Sequence, residues 1–466
     1  MSSKHSENGK KFSKKNFYHD LKLQIVKALN IAVMTALFGY TWFQYYSQTI
    51  YYPFYRVGNW VMVLLFIMIY FMYGRTYDAL VVSLSPVSEK VYSQLLAILF
   101  SDGIMYLVIL MLTRHIPRVI PLLVCFVIQG IFALIWSVLA YRWYFHEFPP
   151  RKTVVVYDDD PSLADLGNMI NRYGLDNKFA VEKTYQVLDV VNDLTVLNEF
   201  DVVFLANIHS HQRNQLIKYC VNDDKQIYIL PRIGDVIMSG AERMHMLHLP
   251  FMHLARYSPR PEFYFFKRLF DLTASLALFI LTSPFFLIVA LLIKFFDNGP
   301  VFYKQVRLTK NGKEFKVIKF RSMRVDAEKD GVARLSTGDD DDRITPVGKF
   351  LRKVRLDELP QLLNIIKGDM SIVGPRPERP EIAAEYEESL PEFSLRLQAK
   401  AGLTGYAQVY GKYNTTPYNK LEMDLMYIAN PSIFEDLRII FATIKILFQS
   451  ESTEGIEEGQ ETAQKK

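Results

Sequence analysis

Apolar positions gather in two parts of the chain, the first 145 residues and the stretch 269–296. The first part holds four runs, about Ala28–Phe43, Trp60–Tyr73, Tyr92–Leu112 and Val119–Ala140. The third and fourth approach the ~20 residues that cross a bilayer as a helix. The first two are shorter, but Tyr40, Trp42, Tyr51, Tyr52 and Trp60 flank them, and such rings favour the membrane interface. The pattern predicts four spanning helices over 25–145. A polar, lysine-rich tail over 1–24 precedes them without a signal-peptide pattern. Lys10, Lys11, Lys14, Lys15, Lys22 and Lys27 lie before the first span, Arg75 and Lys90 flank the loop after the second, and Arg142, Arg151 and Lys152 follow the fourth. Arg56, Arg114 and Arg118 lie in the opposing loops. The bias puts the N-terminus and everything after residue 145 in the cytoplasm. Asp102 and Gln129 fall near the centres of the third and fourth runs, as a polar relay or as an interhelical hydrogen bond.

Between 150 and 255 the pattern changes. Thr153–Asp158 reads as a buried strand, Asp201–Ile208 and Gln226–Ile233 as further strands, and Pro161–Tyr173 and His211–Asp223 as helices. Strands alternating with helices predict a parallel sheet in a small Rossmann-like α/β domain. The first strand runs into Asp158-Asp159-Asp160-Pro161, where a dinucleotide site would need a glycine-rich turn. Three acids repel a pyrophosphate, so no dinucleotide is expected here. The domain reads as a structural or regulatory spacer.

The later apolar run, Leu269–Phe296, is basic at both ends, with Lys267 and Arg268 before it and Lys294, Lys304 and Arg307 at or after its close. Two cytoplasmic ends imply a segment that enters and returns. Pro284 removes a backbone donor and crowds the preceding turn. Ser283 can re-satisfy a freed carbonyl in a low-dielectric interior. A break at Ser283-Pro284 and an ordinary fifth span both fit the residues.

Composition narrows the class. Of 466 residues, 50% are hydrophobic and 22% charged, and mean hydropathy is +0.06. A net charge of +5 is too small to argue for nucleic acid. The two cysteines, Cys125 and Cys220, fall in different predicted regions and read as free thiols.

Candidate chemistry lies in the last third. Asp357 and Glu358 open an apolar run, Leu362–Ile366, with Pro360 tolerated in a first helical turn. Asp357 reads as an N-cap or first-turn residue, and the helix dipole favours ionised carboxylates there. An ionised Asp can attack phosphorus, and an adjacent Glu can hold Mg²⁺ beside substrate phosphates. Taken alone, the pair reads first as acid enrichment at an ordinary helix start. The surroundings add weight: Lys319 and Arg321 follow a strand-like Glu314–Ile318, Arg352 precedes the pair, and Arg376 sits in a rigid Pro-Arg-Pro turn suited to phosphate. A further acidic run, Asp339–Asp342, reads as a solvated turn.

In order, Phe266–Asp271, Ser283-Pro284, Gly299–Phe302, Lys319–Met323, Arg343–Thr345, Leu356–Leu362, Gly374–Pro377 and Gly402–Gly405 resemble the bacterial sugar transferases, the polyprenyl-phosphate phosphoglycosyl transferases. The similarity covers about 265–449, and the N-terminal half looks like the large form of the family. The resemblance implies a membrane protein with a transmembrane bundle, a Rossmann-like cytosolic domain, a re-entrant helix at 262–298 broken at Ser283-Pro284, and an α-rich catalytic domain at 299–450, with a disordered tail from 451. It implies Asp357 as nucleophile on the β-phosphate of a UDP-hexose (glucose or galactose), Glu358 as Mg²⁺ ligand, and Arg376, Lys319, Arg352 and Arg321 as phosphate contacts. The acceptor would be undecaprenyl phosphate at the inner leaflet of a bacterial plasma membrane, with UMP released, as the first step of capsule or exopolysaccharide assembly. A homodimer is compatible with this reading. A membrane-tethered regulatory or scaffold protein is the rival, and it leaves the ordered acid and arginine motifs unexplained. The chain departs from the family pattern at Ala401, Tyr406 and Tyr410, where proline, tryptophan and asparagine are usual.

Overall fold

The structure is a computed structural model. It describes residues 2–55, 57–83, 86–158, 166, 170, 175–256, 259–297, 299–325, 327, 343–411 and 415–447, with side chains from Tyr18 onward and without that of residue 297. Asp159, Asp160, Asp339–Asp342, the tail from 451 and nearly all of the helix expected over Pro161–Tyr173 lie outside the described residues. Two compact units divide the chain, Met1–Pro231 and Arg232–Lys466.

The first unit opens with α1 (Ser2–Thr41), extended by a π turn at Trp42–Tyr46, then α2 (Val57–Thr76), α3 (Val87–Leu112) and α4 (Ile120–Glu147). All four helical segments are long and apolar enough to cross a membrane. Buried aromatics zip α1 to α2: Phe38 stacks on Phe66 at 4.4 Å, and Phe66 on Tyr70 at 5.9 Å. One chain of polar groups inside the bundle is bonded, as a low-dielectric interior favours. Tyr70 donates to Asn30 at 2.9 Å, Asn30 to Gln94 at 3.4 Å, and Gln94 to the Ala79 carbonyl at 3.2 Å. The expected Asp102–Gln129 bond is not what the bundle uses. Gln129 donates instead to the Met34 carbonyl on α1, and among the described residues neither carboxylate oxygen of buried Asp102 has a hydrogen-bond partner.

Beyond the bundle, β1 (Arg151–Tyr157), β2 (Phe179–Gln186), β3 (Val202–Ala206) and β4 (Gln226–Leu230) form an all-parallel sheet in the order β2-β1-β3-β4. Val154, Val155 and Val156 of β1 and Val202 and Val203 of β3 are fully buried, as central parallel strands require. Two short helices, α5 (Val187–Asn192) and α6 (Ser210–Asn222), lie along the connections. Cys125 and Cys220 are both free and buried.

In the second unit a short helix α7 (Ile233–Ser239) and a hairpin, β5 (Glu242–Met246) with β6 (Leu249–His253), lead into α8 (Pro261–Asp297). A second hairpin follows, β7 (Phe302–Leu308) with β8 (Glu314–Phe320). After α9 (Pro346–Lys353) come a 3₁₀ turn at Leu356–Glu358, α10 (Gln361–Lys367), β9 (Ser371–Val373), α11 (Pro380–Ser389), β10 (Gly402–Thr404), α12 (Tyr406–Tyr410), α13 (Pro417–Ala429) and α14 (Ile433–Leu447).

α8 is helical straight through Pro284, and Ser283 Oγ bonds the Ile280 carbonyl at 2.8 Å. Its early part is tied to the second unit by polar contacts. Arg268 donates to the Ile365 and Ile366 carbonyls at 2.7 and 2.8 Å, satisfying the open C-terminal end of α10. Asp271 accepts from Ile372 N at 3.1 Å, and Lys267 pairs with Asp436 at 2.6 Å. Its later part packs on the same unit, with Val289 and Ile293 against Phe320 and Leu351. Between them Phe279 meets Phe315, Val317, Leu362 and Ile365. The other side of α8 is bare and apolar, including Ile280, Leu281, Leu287, Ile288 and Phe295.

Asn364 welds α10 to β8. Its amide donates to the Lys316 carbonyl at 2.8 Å, and its carbonyl accepts from Ile318 N at 3.0 Å. Asn364→Ala strands both backbone groups. It should cost about 2–4 kcal/mol and lower the thermal midpoint of the detergent-solubilised chain; an unchanged midpoint contradicts the weld.

Candidate active site

The acid pair is not at the start of α10, as the sequence suggests. It occupies the 3₁₀ turn before it, and Pro360 rather than Asp357 caps the helix. Arg355, in left-handed conformation at φ 53°, reverses the chain as it enters the turn. The reversal buries Asp357 at 8% exposure. Leu356 and Leu359 on either side of the pair pack against the α8–β8–α9 core and anchor the turn.

Glu358 is the electrostatic hub. Its Oε1 accepts from Lys319 Nζ of β8 at 2.9 Å and from Arg376 Nη2 at 3.3 Å. Burial alone would raise its carboxyl, but Lys319 and Arg376 outweigh that and hold it well below the usual range. Asp357 behaves oppositely. Burial drives its carboxyl up from the ordinary aspartate value, and the negative Glu358 adds to this, against the pull of Lys319, Arg352 and Arg376. The helix-dipole expectation therefore fails for Asp357, because desolvation dominates. Two adjacent carboxylates with opposite shifts are the arrangement in which one anion stays fixed and the other changes state.

The structure brings together Asp357, Glu358, Lys319, Arg352 and Arg376 of the residues singled out from sequence. Arg352, near the end of α9, acts on Asp357 through its charge, and its Nη1 is buried without a hydrogen-bond partner. The guanidinium of Arg321 packs where a Cβ on Gly299 would stand, 1.7 Å from Nη1. Gly299 and Arg321 thus fit as a pair at the open end of the β7–β8 hairpin, one before β7 and one after β8. Ser283 and Pro284 lie within α8.

The turn carrying Arg376 has no regular structure, yet donors hold its carbonyls in succession. Val373 O takes Lys267 Nζ at 3.2 Å and Tyr427 Oη at 3.3 Å, and Pro375 O takes Gly402 N at 2.9 Å. Arg376 O takes Arg396 Nη2 at 2.8 Å, Pro377 O takes Arg307 Nη1 at 3.1 Å, and Glu378 O takes Leu308 N at 3.0 Å. Backbones touch here: a Cβ on Gly374 would fall 2.2 Å from Lys400 O, and one on Gly405 2.2 Å from Gly374 O. That contact is the physical reason for glycine in both late motifs. Ala401, where the family favours proline, uses its N–H to reach Thr309 Oγ1 at 3.1 Å.

Sequence reasoning missed the second ring of charge behind this turn. Glu378 is ringed by Lys420, Arg396 and Arg307. Burial would raise its carboxyl, and these cations hold it down at about 2. The signal was present only as Glu378, one residue beyond the Pro-Arg-Pro turn.

Mg²⁺, implied by the resemblance, needs oxygen donors. The turn offers the Asp357 carboxylate and the Glu358 oxygen that Lys319 and Arg376 do not engage. Among the described residues there is no cluster of three or more potential metal ligands. This donor set fits a cation held by one or two carboxylates together with substrate phosphates, the usual Mg²⁺ arrangement, and not an all-protein cage.

Comparison with known proteins agrees with the site. The bacterial sugar transferase family matches residues 263–450. The exopolysaccharide production protein PSS of Rhizobium leguminosarum bv. phaseoli is 46% identical over 187 residues, 38% of this chain and 92% of that protein. The UDP-N-acetylgalactosamine-undecaprenyl-phosphate N-acetylgalactosaminephosphotransferase of Aeromonas hydrophila is 36% identical over 224 residues, 47% of this chain and 52% of that one. The UDP-glucose:undecaprenyl-phosphate glucose-1-phosphate transferase of Klebsiella pneumoniae is 43% identical over 184 residues, 38% of this chain and 39% of that one. The match therefore spans about half or less of the two longer relatives. The chain belongs to the bacterial sugar transferase family, and the acid pair, Lys319, Arg352 and Arg376 all lie inside the matched region.

If Lys319 holds the pair ionised, Lys319→Met should make it take up its proton at higher pH. An opposite charge at this range lowers a carboxyl by ~1–3 units, so the acid limb of the pH–rate profile should rise by about 1 unit. A limb that stays in place contradicts the assignment.

Proposed function

We propose that this chain transfers a hexose 1-phosphate from a UDP-sugar to undecaprenyl phosphate, releasing UMP, as the first step of capsule or exopolysaccharide synthesis. The carrying observation is the buried Asp357 beside an anion fixed by Lys319 and Arg376. An Asp357 oxygen attacks the β-phosphorus, and the bond from that phosphorus to the bridging oxygen breaks. UMP leaves with that oxygen, and a hexose phosphate stays on the carboxylate. An oxygen of the lipid phosphate then displaces Asp357, giving a lipid diphosphate sugar and restoring the aspartate. Arg376, with its side chain 40% exposed, keeps a face open to the incoming phosphates, and Lys319 and Arg352 offset the charge as two anions meet. Mg²⁺, when bound, neutralises phosphate charge and is assigned to Glu358. The relatives' names differ in the sugar, so the hexose is assigned by resemblance as glucose or galactose.

The cytoplasmic placement and the re-entrant reading of α8 belong to the same proposal. Supporting it, residues 267, 268 and 271 and residues 289 and 293 of α8 hold to one polar unit. A straight spanning helix would separate such ends by a hydrocarbon core of ~30 Å. The bare apolar side of α8 suits burial in one leaflet. The all-parallel sheet of the first unit supports the Rossmann-like reading.

Two outcomes follow. Given Mg²⁺, membranes carrying the chain should release UMP from UDP-glucose or UDP-galactose over many turnovers only with undecaprenyl phosphate present, and at most one UMP per site without it. Asp357→Asn should reduce this by at least ~10⁴-fold while inserting normally; substantial turnover by that variant removes the nucleophile. Single cysteines at 265 and 296, in a chain with Cys125 and Cys220 replaced, should react with a membrane-impermeant thiol reagent from the cytoplasmic side; reaction of one from outside refutes re-entry.

A further inference from the structure

We propose that Arg396, held by Asp424, is the positioning residue that aims the Arg376 guanidinium at the donor phosphates. The inference rests on the phosphate role proposed for Arg376. Arg376 stands between Pro375 and Pro377, neither of which has an N–H. The backbone around it can be gripped chiefly through carbonyls, and its own carbonyl is held by Arg396 Nη2 at 2.8 Å. Where that carbonyl sits sets where the Arg376 side chain leaves the backbone.

Arg396 is built to hold it still. Its side chain is 2% exposed and that of Asp424 1%. Nε donates to Asp424 Oδ2 at 2.8 Å, and Nη2 lies 2.6 Å from the same oxygen. Nη1 lies 3.5 Å from Glu378 Oε1, which Lys420 also engages. One planar guanidinium thus touches an acid on α13, an acid two residues past Arg376, and the Arg376 backbone. A buried ion pair is weak evidence for a stability role, because apolar pairs of similar volume often do as well. A methionine and a leucine here would pack, but they would leave the Arg376 carbonyl without its donor. The guanidinium reaches a functional turn that the ion pair alone does not need.

The test uses the full-length chain in lipid nanodiscs. Arg396→Met is combined with Asp424→Leu so that no buried charge is left unpaired, and Arg376→Ala is made alone and in that background. Without substrate, backbone amides over 374–379 should exchange with deuterium at least about tenfold faster in the double variant. The value of kcat/KM for the UDP-hexose should fall by about 10²-fold. Adding Arg376→Ala should cost no more than about twofold further, because interacting sites are non-additive. Losses that simply multiply, unchanged exchange, or faster exchange with unchanged kcat/KM overturn the proposal. Should the double variant not fold, Arg396→Lys decides by the same cycle: it keeps the charge but lacks the fork, and full activity in it also overturns the proposal. Exchange is read without turnover, so an unsubstituted chain that releases no UMP sinks the proposed function while the grip on the turn is still measured.

Discussion

Glu358 is pulled from two sides by cations that arrive on unrelated elements, Lys319 from a strand and Arg376 from an irregular turn. A buried carboxylate without such partners would be costly, and with them it becomes a fixed negative charge. Everything else at the site is arranged around that charge. It pushes up the proton affinity of Asp357 and gives Lys319 a reason to lie close by. It also draws the half-exposed Arg376 side chain in toward the pair.

The fold serves this arrangement through backbone contacts more than through side-chain packing alone. Asn364 joins the strand that supplies Lys319 to the helix that follows Asp357. Glycines at 374, 402 and 405 let the Arg376 turn lie on the segment before α12. Arg268 and Asp271 fasten α8 to the same body, so the apolar helix and the charged site form one unit. The transfer proposed above, between a soluble donor and a lipid acceptor, needs that coupling.

Much of this could be read from the sequence. Four apolar runs gave four long helices, and the β-branched runs at 154–156 and 202–203 gave two central strands. β2 was not foreseen, because Phe179–Gln186 is polar and largely exposed, as an edge strand can be. The acid pair and most of its basic partners could be identified by residue type and order. Their protonation could not, since the rise of Asp357 comes from burial, which depends on how its turn packs in the folded unit. The same reason hid Arg396 and Asp424, whose meaning comes from a contact across 28 positions. The expected Asp102–Gln129 bond failed because similar depth in neighbouring helices does not fix which face each residue presents.

The proposed reaction requires Asp357 itself to carry the sugar phosphate between donor and acceptor. Purified chain, stripped of polyprenyl phosphate and mixed with UDP-hexose and Mg²⁺, can be acid-quenched within one turnover and its peptides weighed. One UMP should be released per active site, with a hexose-phosphate mass increment on the peptide containing Asp357. No UMP until lipid phosphate is added, together with an unmodified Asp357 peptide, would mean direct one-step transfer and would contradict the proposed reaction.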